Sequence, residues 1–325
     1  MRCRFFLSLV LAAALIWAAP PARAYTPADF QQFVSDLKAE AKAKGLPAQV
    51  VDRVLGQAEF LPNVIRLDKS QPESVITLQQ YLSERLTAER LEKGQDFFRE
   101  HQSELQRAAR AYGVPAPYIV ALIGVETNYG TNVGRTDIVS SLATLAYEGR
   151  RADFFKGELI NLLRIIAAGG APALPVLGSW AAASGRCQFM PSSYLKYAAD
   201  GDGDGRKDIW NNWADVFAST ANYLKTEGWT SALGWGYEVT APDALRRQVA
   251  DETVMPRSAW EKLGVLPRGA PSEKAATPLR LVQPEGVTGQ AFLVTANYFV
   301  LRHWNRSHKF AILVGKMADS IGAKP

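Results

Sequence analysis

Residues 118–125 read Tyr-Ile-Val-Ala-Leu-Ile-Gly-Val, and they run without a break into Glu126. Wound as a helix, this stretch is apolar on nearly every side, so other elements have to enclose it. Pro115 and Pro117 suit its first turn, where a missing backbone N–H costs nothing, and Gly130 is a natural terminator beyond its end. The segment predicts a central buried helix whose last turn carries a carboxyl group.

The elements to enclose it are present. Phe30, Phe33, Val34, Leu37 and Ala41 recur at three- and four-residue steps, which predicts an amphipathic helix over about 27–45. A short helix follows at 48–58, residues 62–72 read as an extended connector, and helices resume over about 73–110. Further helices are expected at 139–147, 153–168, 192–198 and 213–227. From 228 to about 289 the chain is rich in Gly, Pro, Thr and Val and reads as irregular, partly β, with short helices. Helical spacing returns at 291–304 and 310–321. The expected fold is mainly α, divided into a helical N-terminal region (25–112), a core (113–228), a small β-containing region (229–289) and C-terminal helices that complete the core (290–325). No internal repeat is visible.

Arg2 and Arg4, an apolar run over 5–19 and the small residues around Ala22-Arg23-Ala24 match a cleavable secretory signal over 1–24. The run is shorter than the roughly 20 residues that span a bilayer. Cys3 precedes it, so no cysteine is placed for a lipid anchor. A soluble, secreted, periplasmic protein is expected. The formal charge of +5 drops by three when Arg2, Arg4 and Arg23 leave, which is too mild to argue for nucleic acid. Of the two cysteines only Cys187 remains. A disulfide is then impossible, and the thiol is expected to be buried and unreactive.

Glu126 carries the chemistry. Apolar surroundings and the negative end of a helix both disfavour its carboxylate, so its pKa is expected to rise. A carboxylic acid that keeps its proton near neutral pH can protonate a glycosidic oxygen. The competing reading is a core-helix end that reaches solvent or an arginine such as Arg135.

The stretches Gly124-Val-Glu-Thr-Asn-Tyr-Gly130, Gln188-Phe-Met-Pro-Ser-Ser-Tyr194 and Asn305-Arg-Ser307 occur in this order. In combination they resemble the lytic murein transglycosylase B family, over about residues 61–321. The resemblance implies a lysozyme-like α-helical core and cleavage of the MurNAc-GlcNAc bond of peptidoglycan glycan strands, with formation of 1,6-anhydromuramic acid. It places the single acid and base at Glu126 and substrate-binding positions at Tyr81, Ser179, Gln188 and Asn305. Each of these has a structural alternative: a half-buried helix tyrosine for Tyr81, a loop hydroxyl or cap for Ser179, a helix cap for Asn305. Gln188, between Gly185 and Pro191, is expected in a loop with its amide available to a sugar acetamide. The chain departs from the family where Ala182-Ala-Ser-Gly-Arg-Cys187 precedes Gln188, and where Trp304 and Phe310 stand in place of frequent tyrosines. A second acid, Asp137 or Glu148, would support a hydrolytic muramidase instead. A catalytically inactive peptidoglycan-binding scaffold is the alternative from another class.

Asp200-Gly-Asp-Gly-Asp-Gly-Arg206 fits the first half of an EF-hand loop. Asp200, Asp202 and Asp204 are the expected side-chain ligands of a structural Ca2+, with the Arg206 carbonyl beside them. Three such carboxylates repel one another unless a cation neutralises them. Position twelve is Asn211, not Glu; the family resemblance moves the closing carboxylate to Asp215, and Asp208 is expected to act through water. No catalytic cofactor is expected. The three histidines show no ligand spacing, and no phosphate-cradling loop is present.

Overall fold

The computed structural model describes residues 25–70, 76–269, 273–286 and 289–322. The secretory signal over 1–24, and the helix start expected near Glu73, lie outside them.

The first helix, α1 (Pro27–Ala43), opens where the Thr26 hydroxyl accepts the Asp29 N–H at 3.1 Å, and it buries Phe30, Val34, Leu37 and Ala41. Two short helices follow, α2 (Ala48–Leu55) and α3 (Pro62–Lys69). The second corrects the expected extended connector over 62–72: Pro62 sits in the first helical turn, and Val64, Ile65 and Asp68 are buried behind it. A proline read as a break is here a start. Buried Asp68 takes the guanidinium groups of both Arg150 and Arg151, which pins α3 to the main body.

Next come α4 (Leu78–Arg85), α5 (Ala88–Glu100), α6 (Gln102–Tyr112) and the apolar α7 (Ala116–Thr127). A two-residue strand β1 (Thr136–Asp137) leads into α8 (Ile138–Glu148) and α9 (Ala152–Ala167) and pairs antiparallel with β2 (Leu177–Gly178). Then follow α10 (Pro191–Tyr197) and α11 (Trp213–Thr226). Helices α1, α2, α8 and α9 share one core around Phe30, Leu142 and Leu159. The other core is built round α7, whose Ile119, Val120, Ala121, Leu122 and Ile123 are wholly buried. The central buried helix is therefore observed, though it ends at Thr127, with Asn128 in the left-handed conformation, before Gly130 is reached.

The irregular region holds β3 (Gly236–Thr240), α12 (Arg246–Ala250), β4 (Val254–Pro256), α13 (Arg257–Lys262), β5 (Leu266–Pro267) and β6 (Pro278–Val282). With β7 (Ala291–Val294) they form an antiparallel sheet of order β4-β6-β7-β3-β5 over its own core, centred on the buried Trp260. Residues 291–294 are thus the centre of a sheet, which corrects the helix expected from 291. The helix α14 (Ala296–Trp304) starts only after Thr295 caps it. The last helix, α15 (His308–Gly322), packs along α7 and completes the mainly α fold. No single helix among the described residues is long and apolar enough to cross a membrane.

Candidate active site

Each residue of the stretch 124–130 has a local task. Gly124 leaves room for the Tyr129 ring, which a Cβ there would meet at 2.6 Å. Thr127 Oγ1 lies 3.0 Å from the Ile123 and Arg186 carbonyls and accepts the Gly130 N–H. Asn128 and Tyr129 both take positive φ, 49° and 60°, and turn the chain away from the helix axis. The Tyr129 hydroxyl donates to the Arg90 carbonyl at 2.9 Å, while Arg90 Nη2 donates to the Gly124 carbonyl at 2.6 Å. The reciprocal clasp ties α5 to the end of α7, and Arg90 Nη2 also reaches the Val125 carbonyl at 3.4 Å.

Glu126 stands in the last turn of α7, partly open to solvent and otherwise surrounded by protein. Its described hydrogen-bond partner is Trp304, whose indole Nε1 donates to Oε1 at 2.8 Å. Burial pushes the carboxyl up to about 7, and the indole bond opposes this without cancelling it. Trp304 is itself held by Tyr223 at 4.6 Å and Phe189 at 5.5 Å between ring centroids. The sequence marked Trp304 only as a departure from the family pattern; nothing local announces a contact across 178 positions. Arg90 also went unread, although orphan carbonyls at a helix end always call for donors.

Tyr81 on α4 lies in the same neighbourhood. Burial first, and the Glu126 charge after the opposing Arg85, push its hydroxyl above its ordinary range, and the Arg85 guanidinium lies 4.2 Å from its ring centre. Cys187 is buried beside Gln188, as expected, and desolvation raises its thiol, which disfavours the reactive thiolate. Gln188 has φ 51°, and its Nε2 donates to the Gly185 and Val133 carbonyls at 2.9 and 3.2 Å. Its amide N–H groups are engaged by its own loop, whereas its Oε1 accepts no bond from a described residue. Ser179 keeps its hydroxyl on the Ala183 N–H at 3.1 Å. Asn305 is exposed, ends α14, and accepts the Ser307 N–H at 3.0 Å. Phe310 is buried in the core, away from any polar role.

The other carboxylates weighed as second acids are occupied. Asp137 caps α8 by accepting the Val139 and Ser140 N–H groups. Glu148 accepts the Arg150 N–H at 2.9 Å and lies 3.4 Å from the Lys69 ammonium. A cleft of 480 Å³ lies between Tyr194, Trp210 and the acidic loop and does not include Glu126.

In the acidic loop Asp200, Asp202 and Asp204 bring carboxylate oxygens within 4.8 Å of one another, a donor set that fits a hard cation. Asp200 accepts the Gly203 and Gly205 N–H groups at 2.6 and 2.8 Å, and these bonds hold it below its ordinary range. Asp215, the expected closing carboxylate, lies beneath the loop. Wholly buried, it accepts the Gly201 N–H at 2.7 Å on one oxygen and the Asp208 N–H at 2.6 Å on the other, so it clasps the loop from beneath. Asp208 accepts the Trp210 and Asn211 N–H groups, and the Arg206 N–H goes to Asp204.

A family model described as the transglycosylase SLT domain matches residues 29–319. The chain is 30% identical, over 311 residues, to membrane-bound lytic murein transglycosylase B of Escherichia coli K12, covering 90% of this chain and 82% of that protein. It is similar to the crystal structure of SltB3 from Pseudomonas aeruginosa in complex with NAG-anhNAM-pentapeptide, at TM-score 0.84 and 37% identity, over 91% of this chain and 82% of that one. Slt35 of Escherichia coli, solved in complex with calcium, is similar at TM-score 0.75 and 29% identity, over 90% and 92%. With its lysozyme-like helical core, and matched by that family model over most of its length, this chain belongs to the SLT-domain transglycosylases.

Proposed function

We propose that this protein is a peptidoglycan lytic transglycosylase in which Glu126 is the single acid and base. The observation that carries the reading is the carboxyl at the end of α7, pushed up to about 7 by burial and held by one indole donor. At neutral pH such a group is divided between acid and carboxylate, and it can serve as either.

As the acid, Glu126 protonates the oxygen that leaves C1 of the muramic sugar. The substrate's own acetamide stabilises the cationic intermediate. As the carboxylate, Glu126 then accepts the proton of the C6 hydroxyl, whose oxygen closes onto C1 to give the 1,6-anhydro product. A retaining hydrolase would require a second carboxylate about 5–5.5 Å away. Asp137 and Glu148 are committed to a helix cap and an ion pair, and no neighbouring carboxylate contributes to the Glu126 shift. Tyr81, Gln188 and Asn305 are proposed to border the glycan, and Ser179 to shape the loop that faces it.

Asp200, Asp202 and Asp204, with the Arg206 carbonyl, would hold a structural Ca2+, and Asp215 would hold the loop that presents them. The ion fixes the loop that follows α10; no proton passes through it. Secretion to the periplasm follows from the signal over 1–24 and from the location of the substrate.

The test is product mass from purified peptidoglycan. Muropeptides lighter by one water than those a lysozyme releases are expected, and products bearing a reducing end would replace this reading with hydrolysis.

A further inference from the structure

Two arginines and a histidine gather on a face of the molecule that the chemistry of Glu126 does not use. Between the sheet and α14 lies a cleft of 200 Å³ lined by Arg280, Arg302, His308, Phe299 and a single carboxylate, Glu252. We propose that this cleft binds a carboxylate of the peptide stem carried by the glycan strand. The inference rests on the reading of the chain as a peptidoglycan enzyme and adds a second recognition site to it.

The donors are built and underused. Arg280 on β6 lies with its guanidinium carbon 4.5 Å from the Phe299 ring centre, which fixes the plane of its fork. Its Nη1 meets Glu252 at 2.9 Å, but its Nε is buried with no acceptor among the described residues. An unsatisfied buried donor costs roughly 1–3 kcal/mol until something accepts from it. Arg302 gives Nε and Nη2 to the Arg306 carbonyl at 3.1 Å and forms no ion pair with a described residue. His308 Nδ1 lies 2.6 Å from the Tyr298 hydroxyl. That phenol is buried, and the bond engages one of the two ring nitrogens. Against these stands only Glu252, whose side chain is 70% exposed. A ligand carboxylate can compete with this one exposed side chain for the half-buried arginine.

The cleft is within reach of the glycan. Arg302 and Phe299 share one face of α14, three positions apart, while Trp304, two positions on from Arg302, points round the other side to Glu126. The exposed Asn305-Arg306-Ser307 turn separates the two faces. A helix with its side chains is about 10–12 Å across, and a five-residue stem extends to roughly 17 Å. A stem leaving a sugar beside Trp304 can pass over this turn and set its carboxylate on Arg280.

The test is calorimetric binding to the Glu126→Gln protein, which prevents turnover. GlcNAc-MurNAc-pentapeptide is compared with the same disaccharide lacking the peptide. The peptide-bearing ligand is expected to bind about tenfold more tightly, about 1.4 kcal/mol. Adding Arg280→Gln should erase that advantage while leaving the bare disaccharide unchanged, and adding Glu252→Gln, which removes the internal competitor, should enlarge it. Arg280→Lys, which keeps charge but loses the fork, should restore only part. A peptide advantage untouched by Arg280→Gln, or an equal loss for both ligands, overturns the site while leaving the glycan reading intact. Binding of neither ligand to the parent protein overturns both.

Discussion

The carboxyl at the end of α7 and the carboxylates of the 200–215 loop are the same chemistry placed in opposite settings. Glu126 has one indole donor at 2.8 Å and is otherwise largely surrounded by protein, and burial wins: its carboxyl is pushed up to about 7. Asp200 is solvated and takes two backbone N–H groups, and it is held below its ordinary range. Asp215 lies between the two, since burial raises it even though two backbone amides pull it down. A carboxyl becomes a proton donor where the fold withholds donors from it. Where the fold supplies amides to a carboxyl that stays solvated, it remains an anion, fit to hold a cation.

The sharpest way to break this contrast is to remove the transferable proton from one side only. Glu126→Gln keeps the shape of the side chain and should lower the cleavage rate by about a thousandfold or more, within the range general acid–base catalysis supplies. Release of muropeptides from purified sacculi, followed by mass spectrometry, measures it. Retention of a tenth of the activity would mean that the acid is elsewhere.

The same substitution should stabilise the protein increasingly as the pH rises from about 4.5 to about 7, and fully above that. The folded Glu126 titrates near 7 and the unfolded one near 4.5, so between these values the unfolded chain binds fewer protons and stability falls as pH rises. The cost is absent below about 4.5 and complete above about 7, where it is of order 3 kcal/mol. Melting temperatures of wild type and Glu126→Gln should therefore coincide at acid pH and separate, variant higher, at alkaline pH. A gap that does not change with pH would show that burial is not what raises the group.

On the other side of the contrast, Ca2+ should act on stability alone. At 100 times its dissociation constant it would add about 2.7 kcal/mol. A chelator should lower the melting temperature, and Asp204→Ala should remove that response, since Asp204 lies in the three-carboxylate cluster. Cleavage should persist wherever the calcium-free protein is still folded. Activity lost from a folded, calcium-free protein would tie the loop to the chemistry and erase the distinction between the two regions.

How far these settings were legible follows from what is local. The apolar run into Glu126 announced both the buried helix and the raised carboxyl, because both depend on neighbours in sequence. The alternating Asp and Gly of 200–205 announced the loop for the same reason. Two short segments were misread. Pro62 opens a helix where a connector was expected, and Ala-Phe-Leu-Val at 291–294, buried on every residue, has no periodicity to tell a central strand from a helix. Trp304 on Glu126, Arg90 on the α7 carbonyls and Asp215 beneath the loop are contacts the fold creates, and no pattern along the chain encodes them.

The smallest effect tests the single donor that Glu126 does have. Trp304→Phe keeps an aromatic ring against Tyr223 and Phe189 but removes the indole N–H. That bond favours the carboxylate, so its loss should push Glu126 above its present value of about 7. A hydrogen bond to a charged group is worth about 1.5–3 kcal/mol, yet the protonated acid retains part of the same contact, so the shift should be on the order of one pH unit. The acid then keeps its proton to higher pH, and the alkaline limb of the kcat profile should move upward by that amount, with the maximal rate changed less than about tenfold. The full pH profile of both proteins on one soluble glycan substrate measures this. A limb that stays in place would mean that burial alone sets the acidity of Glu126, and one that moves down would mean that the indole had been favouring the protonated form.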